Sequence, residues 1–145
     1  MTSFANRRVL VVDDNAHARA FLAQILGAVE VSVVQAATGA EALMILKTVQ
    51  VDAVISDMFM RPMDGIALTR AIRASDKPEI AGLPVIMASA QASREVVHGG
   101  VVAGVTGFIA KPFSPAAVLK RLAIALEHRP DPAAEVANSQ ASTYL

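Results

Sequence analysis

The 145-residue chain has no cysteine and no tryptophan, and Tyr144 is its one tyrosine. Without cysteine there is no disulfide framework, no thiolate metal site and no cysteine nucleophile. Net charge is missing as well: 13 Lys+Arg stand against 13 Asp+Glu. A balanced chain lacks the basic surplus that nucleic-acid binding calls for. Although 54% of the residues are hydrophobic, no long apolar run follows from it. The longest charge-free stretch, Val96 to Ala110, is 15 residues and holds Gly99, Gly100, Gly104, Gly107 and His98, too short and too broken to span a bilayer. The first residues, MTSFANRRVLVV, lack the apolar run and small-residue cleavage site of a signal peptide. A single soluble, cytoplasmic domain is expected, bound to neither membrane nor nucleic acid.

What is there is an alternation of short β-branched runs with helical periodicity. Val9 to Val12 is a continuous apolar run that stops at Asp13-Asp14-Asn15, as a strand buried on both faces would. Ala18, Phe21, Leu22, Ile25 and Leu26 then follow one helix face, with Gly27 as the stop. Val29 to Ala36 reads as a second strand. Thr38 and Glu41 form a capping-box pair that opens a second helix through Ala42, Leu43, Ile45 and Leu46. A third strand, Ala53 to Ser56, ends at Asp57. Asp64 is the N-cap of a helix carrying Ala67, Leu68, Ala71 and Ile72. Pro84 to Ser89 is a fourth strand.

Ser93 to about Val102 reads as a weak fourth helix, since Gly99 and Gly100 cost roughly 1 kcal/mol each relative to Ala. Phe108 to Ala110 is a fifth strand. Ser114-Pro115 opens a fifth helix with Val118, Leu119, Leu122, Ala125 and Leu126 on one face. Beyond Arg129 the periodicity ends, so residues 130–145 are expected to be a disordered tail after a domain spanning 7–129.

Five strand–helix units predict a parallel sheet covered on both faces, with the ligand site beyond the carboxyl ends of the strands. Asp13 and Asp14 lie there after the first strand, Asp57 after the third, Ser89 at the end of the fourth and Lys111 after the fifth. Three close carboxylates repel unless a cation sits among them. Oxygen donors without His or Cys favour Mg²⁺ over Zn²⁺. A carboxylate beside Mg²⁺ and an ammonium is placed to attack a phosphoryl group, with metal and lysine neutralising its oxygens and Ser89 donating to another. Formation of an aspartyl phosphate is the chemistry implied.

Four segments, RVLVVDD (8–14), VISDMFMRPMDG (54–65), PVIMASA (84–90) and GFIAKPF (107–113), occur in an order and spacing that resemble the receiver domain of two-component response regulators, over about residues 8–127. The resemblance implies a flavodoxin-like doubly wound (βα)5 fold with strand order 2-1-3-4-5. By motif position, Asp57 resembles the phosphoacceptor and Asp14 the direct Mg²⁺ ligand, with Mn²⁺ a possible substitute. Asp13 would hold the metal mainly through water or hydrogen bonds, and the backbone carbonyl of Phe59 would be a further ligand. Lys111 would bind the phosphoryl group, across a cis bond to Pro112. Ser89 and Phe108 fall at the family's switch positions, and the fourth helix, fifth strand and fifth helix would present the altered surface to a downstream protein partner. The implied phosphodonor is a sensor histidine kinase or a histidine phosphotransfer protein, and the protein would be a signalling switch, an enzyme only toward its own phosphorylation and dephosphorylation.

Four departures from the commoner family pattern stand out. Pro62 comes one residue late, with Arg61 where proline is expected; Ser89 replaces threonine; Phe108 replaces tyrosine; and Gly99-Gly100 weaken the signalling helix. After Arg129 only 16 residues remain, too few for a helix-turn-helix unit, so a stand-alone receiver is expected, with a relay shuttle or phosphate sink as alternative roles. Two rivals fit poorly. A dehalogenase-like phosphatase wants an aspartate two residues after the nucleophile, where Phe59 stands. A flavodoxin-like cofactor binder wants a glycine- or hydroxyl-rich loop after the first strand, and Asp13-Asp14-Asn15 would repel a phosphate. His17, His98 and His128 have no ligand spacing, and the six methionines read as packing.

Overall fold

The computed structural model describes residues 4–91 and 93–127. Five parallel strands, β1 (Arg8–Val12), β2 (Ser32–Ala36), β3 (Ala53–Asp57), β4 (Val85–Ser89) and β5 (Gly107–Ala110), form one sheet in the order β2-β1-β3-β4-β5. Between them run α1 (Ala16–Gly27), α2 (Gly39–Thr48), α3 (Gly65–Arg73), α4 (Pro78–Ala81) and α5 (Arg94–Ala103), and α6 (Pro115–Glu127) follows β5. This is the expected flavodoxin-like arrangement. Because side chains alternate along a strand, β1 feeds two cores at once. Val9 and Val11 join Ile55, Ile86 and Ile109 under α1 and α6, while Leu10 and Val12 join Val54 and Val85 under α2 and α3. Burial of both sheet faces explains the continuous apolar runs.

Capping follows the sequence with one shift. Asp64 Oδ1 accepts from the Ala67 amide at 2.8 Å, and Ser93 and Ser114 cap α5 and α6. Thr38 Oγ1 accepts from the Glu41 amide at 3.1 Å, but Glu41 reaches back to the amide of Ala37, not that of Thr38.

Three expectations are corrected. The second strand begins at Ser32, three residues late: the amides of Val29, Glu30 and Val31 all donate to the end of α1, and Glu30 turns through φ 69°, so these valines pack on the core without joining the ladder. Phe21, assigned to the buried face of the first helix, is 43% exposed, and only Leu22, Ile25 and Leu26 of that face are buried. The chain also inserts a helix the periodicity does not show, the four-residue α4 with Pro78 at its first position. The fourth and fifth helices of the sequence reading are therefore α5 and α6. The expected tail, 130–145, and His128 lie outside the described residues. No described helix is long and apolar enough to cross a membrane.

Candidate functional site

Four of the five strands deliver their last side chain or the next to one edge of the sheet. Asp13 follows β1, Asp57 ends β3, Ser89 ends β4 and Lys111 follows β5. Register carries this: Asp57 pairs with Ala88, and Ser89 with Ala110. One ligand oxygen each from Asp13, Asp14 and Asp57 lies within 4.8 Å of the others. Asp13 is buried, Asp57 is 9% exposed and Asp14 faces solvent.

Lys111 closes the cluster. Its Nζ lies 2.9 Å from Asp57 Oδ1 and 3.1 Å from Asp13 Oδ2. Its own amide donates to the Ser89 carbonyl at 2.9 Å, and the Lys111–Pro112 bond is cis, as the resemblance implied. Asp13 is held from the other side: Oδ1 accepts from the Asn15 amide at 2.9 Å, and its carbonyl accepts from Arg19 Nη1 at 2.6 Å. Burial, then the charges of Asp13 and Asp14, push the Asp57 carboxyl above its ordinary range, and Lys111 only partly offsets them. Burial pulls the Lys111 ammonium down, but its bonds to Asp57 and Asp13 outweigh that and hold it above its ordinary value. The cluster thus carries more negative charge than its one lysine neutralises. Three hard oxygen donors around that deficit suit a divalent cation such as Mg²⁺.

The remaining candidates surround this centre. The Ser89 hydroxyl accepts from the Gln91 amide at 3.0 Å and donates to its carbonyl at 2.7 Å, so it is engaged within its own loop. Phe108 faces Met87 across the β4–β5 ladder and is half-buried. The Phe59 side chain, just beyond β3, is 49% exposed. Beside Lys111, the Phe113 ring stacks on Phe21 with centroids 5.7 Å apart, over a shallow apolar cavity of about 350 Å³ also lined by Ala18, Ala90 and Pro112.

Residues 9–123 match the Response regulator receiver domain family. The chain belongs to that family. Its receiver domain is 37% identical over 118 residues to chemotaxis protein CheY-3 of Vibrio cholerae, covering 81% of this chain and 89% of that one. It is 34% identical over 128 residues to the transcriptional regulatory protein PrrA of Mycobacterium bovis, covering 88% of this chain but 53% of that longer protein. Among solved structures, V. cholerae chemotaxis protein CheY4 superposes with a TM-score of 0.80 at 33% identity, over 84% of this chain and all of that one. The chain is thus a single receiver domain similar to response regulators of the CheY type.

Two neighbours of this receiver's site were not singled out by the sequence. Arg19 reaches Asp13 from one turn into α1, a contact that helical spacing alone does not announce. Gly65 donates to the Met58 carbonyl at 2.8 Å, and a β-carbon there would stand 2.6 Å from the Asp57 carbonyl oxygen and also against Met87 Sδ. Backbone cannot step aside as a side chain can. Gly65→Ala is therefore expected to lose about 1–3 kcal/mol of stability by overpacking in spite of its better helix propensity. Urea denaturation checks this, and a variant as stable as wild type would show that the β3–α3 turn yields freely. The late proline of that turn sits behind a second cis bond, Arg61–Pro62.

Proposed function

We propose that this receiver, over residues 7–129, is a Mg²⁺-dependent phosphoacceptor that takes a phosphoryl group onto Asp57 from a phosphohistidine of a sensor kinase or phosphotransfer protein. The observation that carries this reading is the Lys111 ammonium bridging Asp13 and Asp57 at 3.1 and 2.9 Å beside Asp14. A carboxylate oxygen of Asp57 attacks phosphorus, the O–P bond forms as the N–P bond breaks, and the donor imidazole leaves. Lys111 moves with the arriving charge, pairing with a phosphoryl oxygen as Asp57 becomes an acyl phosphate. Asp13, fixed by the Asn15 amide, keeps the lysine in place. Asp14 and the backbone carbonyl of Phe59 complete the donor set for the metal. Bound Mg²⁺ supplies positive charge that lets three carboxylates stand together and draws negative charge from the phosphoryl oxygens.

Ser89 then leaves Gln91 to donate to the new phosphoryl group, and Phe108 follows. The face formed by α5, β5 and α6 changes and is read by a downstream protein partner. Exposed Val97, Val101 and Val102 lie on α5 of that face. With Phe59 exposed two residues after Asp57, no second acid stands where an aspartyl-phosphate phosphatase needs one.

The test is incubation with Mg²⁺ and acetyl phosphate, followed by intact mass and peptide mapping. Wild type is expected to gain one phosphoryl group, on Asp57, and to gain none in EDTA or as Asp14→Ala. Equal labelling in EDTA, or a modified residue outside this cluster, overturns the assignment.

A further inference from the structure

Helix α5 is anchored unevenly. At its C-terminal end the Arg73 guanidinium donates to the Gly104 carbonyl from Nε at 3.1 Å and from Nη2 at 2.7 Å. Its Nη1 donates to the carbonyls of Ala81 and Leu83, so this end is tied to the α4–β4 connection. The middle is held differently. Within α5 only Gly100 and Ala103 are buried, while Val101 and Val102 are 60% and 65% exposed. Two side chains from other elements occupy the space the paired glycines leave. Ile66 Cδ1 stands 3.0 Å from where a β-carbon of residue 99 would be, and Phe108 Cζ and Cε1 stand 2.6 and 2.9 Å from that of residue 100. Gly100 is a notch, and the Phe108 ring fills it.

A methyl group at residue 100 and the ring in its present place exclude each other. The clashing atoms are the far end of a half-buried side chain, so the ring moves before any backbone does. This ring position coexists with a Ser89 hydroxyl held by Gln91, turned into its own loop. We propose that Gly100 is the seat that stabilises Phe108 in this arrangement, which makes it a positioning residue for the switch; the proposal rests on the roles given above to Ser89 and Phe108. Whatever the filled notch contributes to the resting arrangement is lost when the notch is closed, and the equilibrium shifts by that amount toward the phosphorylated one. The two glycines that weaken α5 as a helix thus also let it meet α3 at Gly99 and β5 at Gly100.

The test uses the full chain carrying fluorinated phenylalanine, with the Phe108 signal assigned through Phe108→Leu, together with the fraction phosphorylated by limiting acetyl phosphate and Mg²⁺. Gly100→Ala is expected to move the Phe108 fluorine signal in the unphosphorylated protein while the remaining phenylalanine signals stay. It is also expected to raise the phosphorylated fraction about three-fold. Gly99→Ala, which changes helix propensity equally, moves neither. In a Phe108→Leu background, where the shorter side chain relieves the clash, Gly100→Ala leaves the phosphorylated fraction unchanged, and this pair decides the matter should Gly100→Ala alone not fold. A Phe108 signal unmoved by Gly100→Ala overturns the seat. A moved signal with unchanged labelling, or an effect of Gly100→Ala that survives Phe108→Leu, overturns the coupling. A wild type that takes up no phosphoryl group overturns the underlying reading instead, and the fluorine signal still judges the seat by itself.

Discussion

Asp57→Asn is expected to take up no phosphoryl group from acetyl phosphate and, in EDTA, to melt above wild type at neutral pH. The first effect follows from removing the nucleophilic carboxylate, since an amide oxygen cannot form the acyl phosphate. The second follows from the environment of the same side chain. Asp57 is 9% exposed and lies with Asp13 and Asp14 in one cluster, and its ion pair with Lys111 does not outweigh burial and two like charges. Its pKa is therefore higher in the folded protein than in the unfolded chain. Stability linked to such a group is fully present below the unfolded pKa and is lost as pH rises through the folded one. The asparagine variant avoids that loss, so its advantage is absent at about pH 3, below the ordinary carboxyl pKa, and grows as pH rises through the folded value. A gain on the order of 1 kcal/mol would raise Tm by about 4 °C in a domain of this size. Mg²⁺ reverses the comparison: at a hundredfold excess over Kd, binding adds about 2.7 kcal/mol to wild type, and less to a variant with one donor charge removed. Thermal melts across pH, with EDTA and then with Mg²⁺, check both signs. A variant that melts lower in EDTA at neutral pH would show that Lys111, not the repulsion, governs Asp57.

The parts of this site that the sequence discloses are those set by local pattern. Val9 to Val12 ends in two aspartates, and a strand buried on both faces has one place to leave polar groups, its end, so Asp13 and Asp57 reach the same edge once the sheet is parallel. Asp64, Ser93 and Ser114 cap helices for reasons that lie within four residues. What periodicity does not show depends on contacts between distant segments. Phe21 shares a helical stripe with Leu22 and Ile25 yet lies at the rim, because its partner, Phe113, arrives from the other end of the chain. Arg73 reads as the charged end of a helix, whereas it serves the Gly104 carbonyl 31 residues on. The helix α4 is a single turn, too short for any period to register. Gly65 and Gly100 look like gaps in a pattern until the Asp57 carbonyl and the Phe108 ring are seen filling them.

Lys111→Ala is expected to act in the opposite sense to Asp57→Asn on stability and in the same sense on labelling. The lysine is the cation of the cluster, its side chain 23% exposed between Asp13 at 3% and Asp57 at 11%. Removing it leaves two buried carboxylates facing each other. Breaking a fully buried pair costs 3–5 kcal/mol, and the partial exposure of Lys111 discounts this to about 1–3 kcal/mol. Phosphoryl incorporation should fall by about 10²- to 10³-fold, the usual consequence of deleting one charged group aimed at a developing anion. The pH dependence separates the two effects. The folded pKa of Lys111 is raised by its bonds to Asp57 and Asp13, so the stability it contributes is fully present below the unfolded lysine pKa and is lost as pH rises through the folded value. The stability gap between wild type and Lys111→Ala should therefore be present at neutral pH, close in alkali as the lysine loses its proton, and close in acid as Asp57, its pKa raised, gains one. Combining the two substitutions gives the sharpest outcome. Lys111→Ala with Asp57→Asn should recover much of the lost stability, because the carboxylate that needed the ammonium is gone, yet incorporate no phosphoryl group at all. Urea denaturation and intact mass on the same four proteins read both quantities. Strictly additive stability changes, with the double variant equal to the sum of the Asp57→Asn gain and the Lys111→Ala loss, would mean that the lysine holds the loop by packing, and that its charge has no part in balancing Asp57.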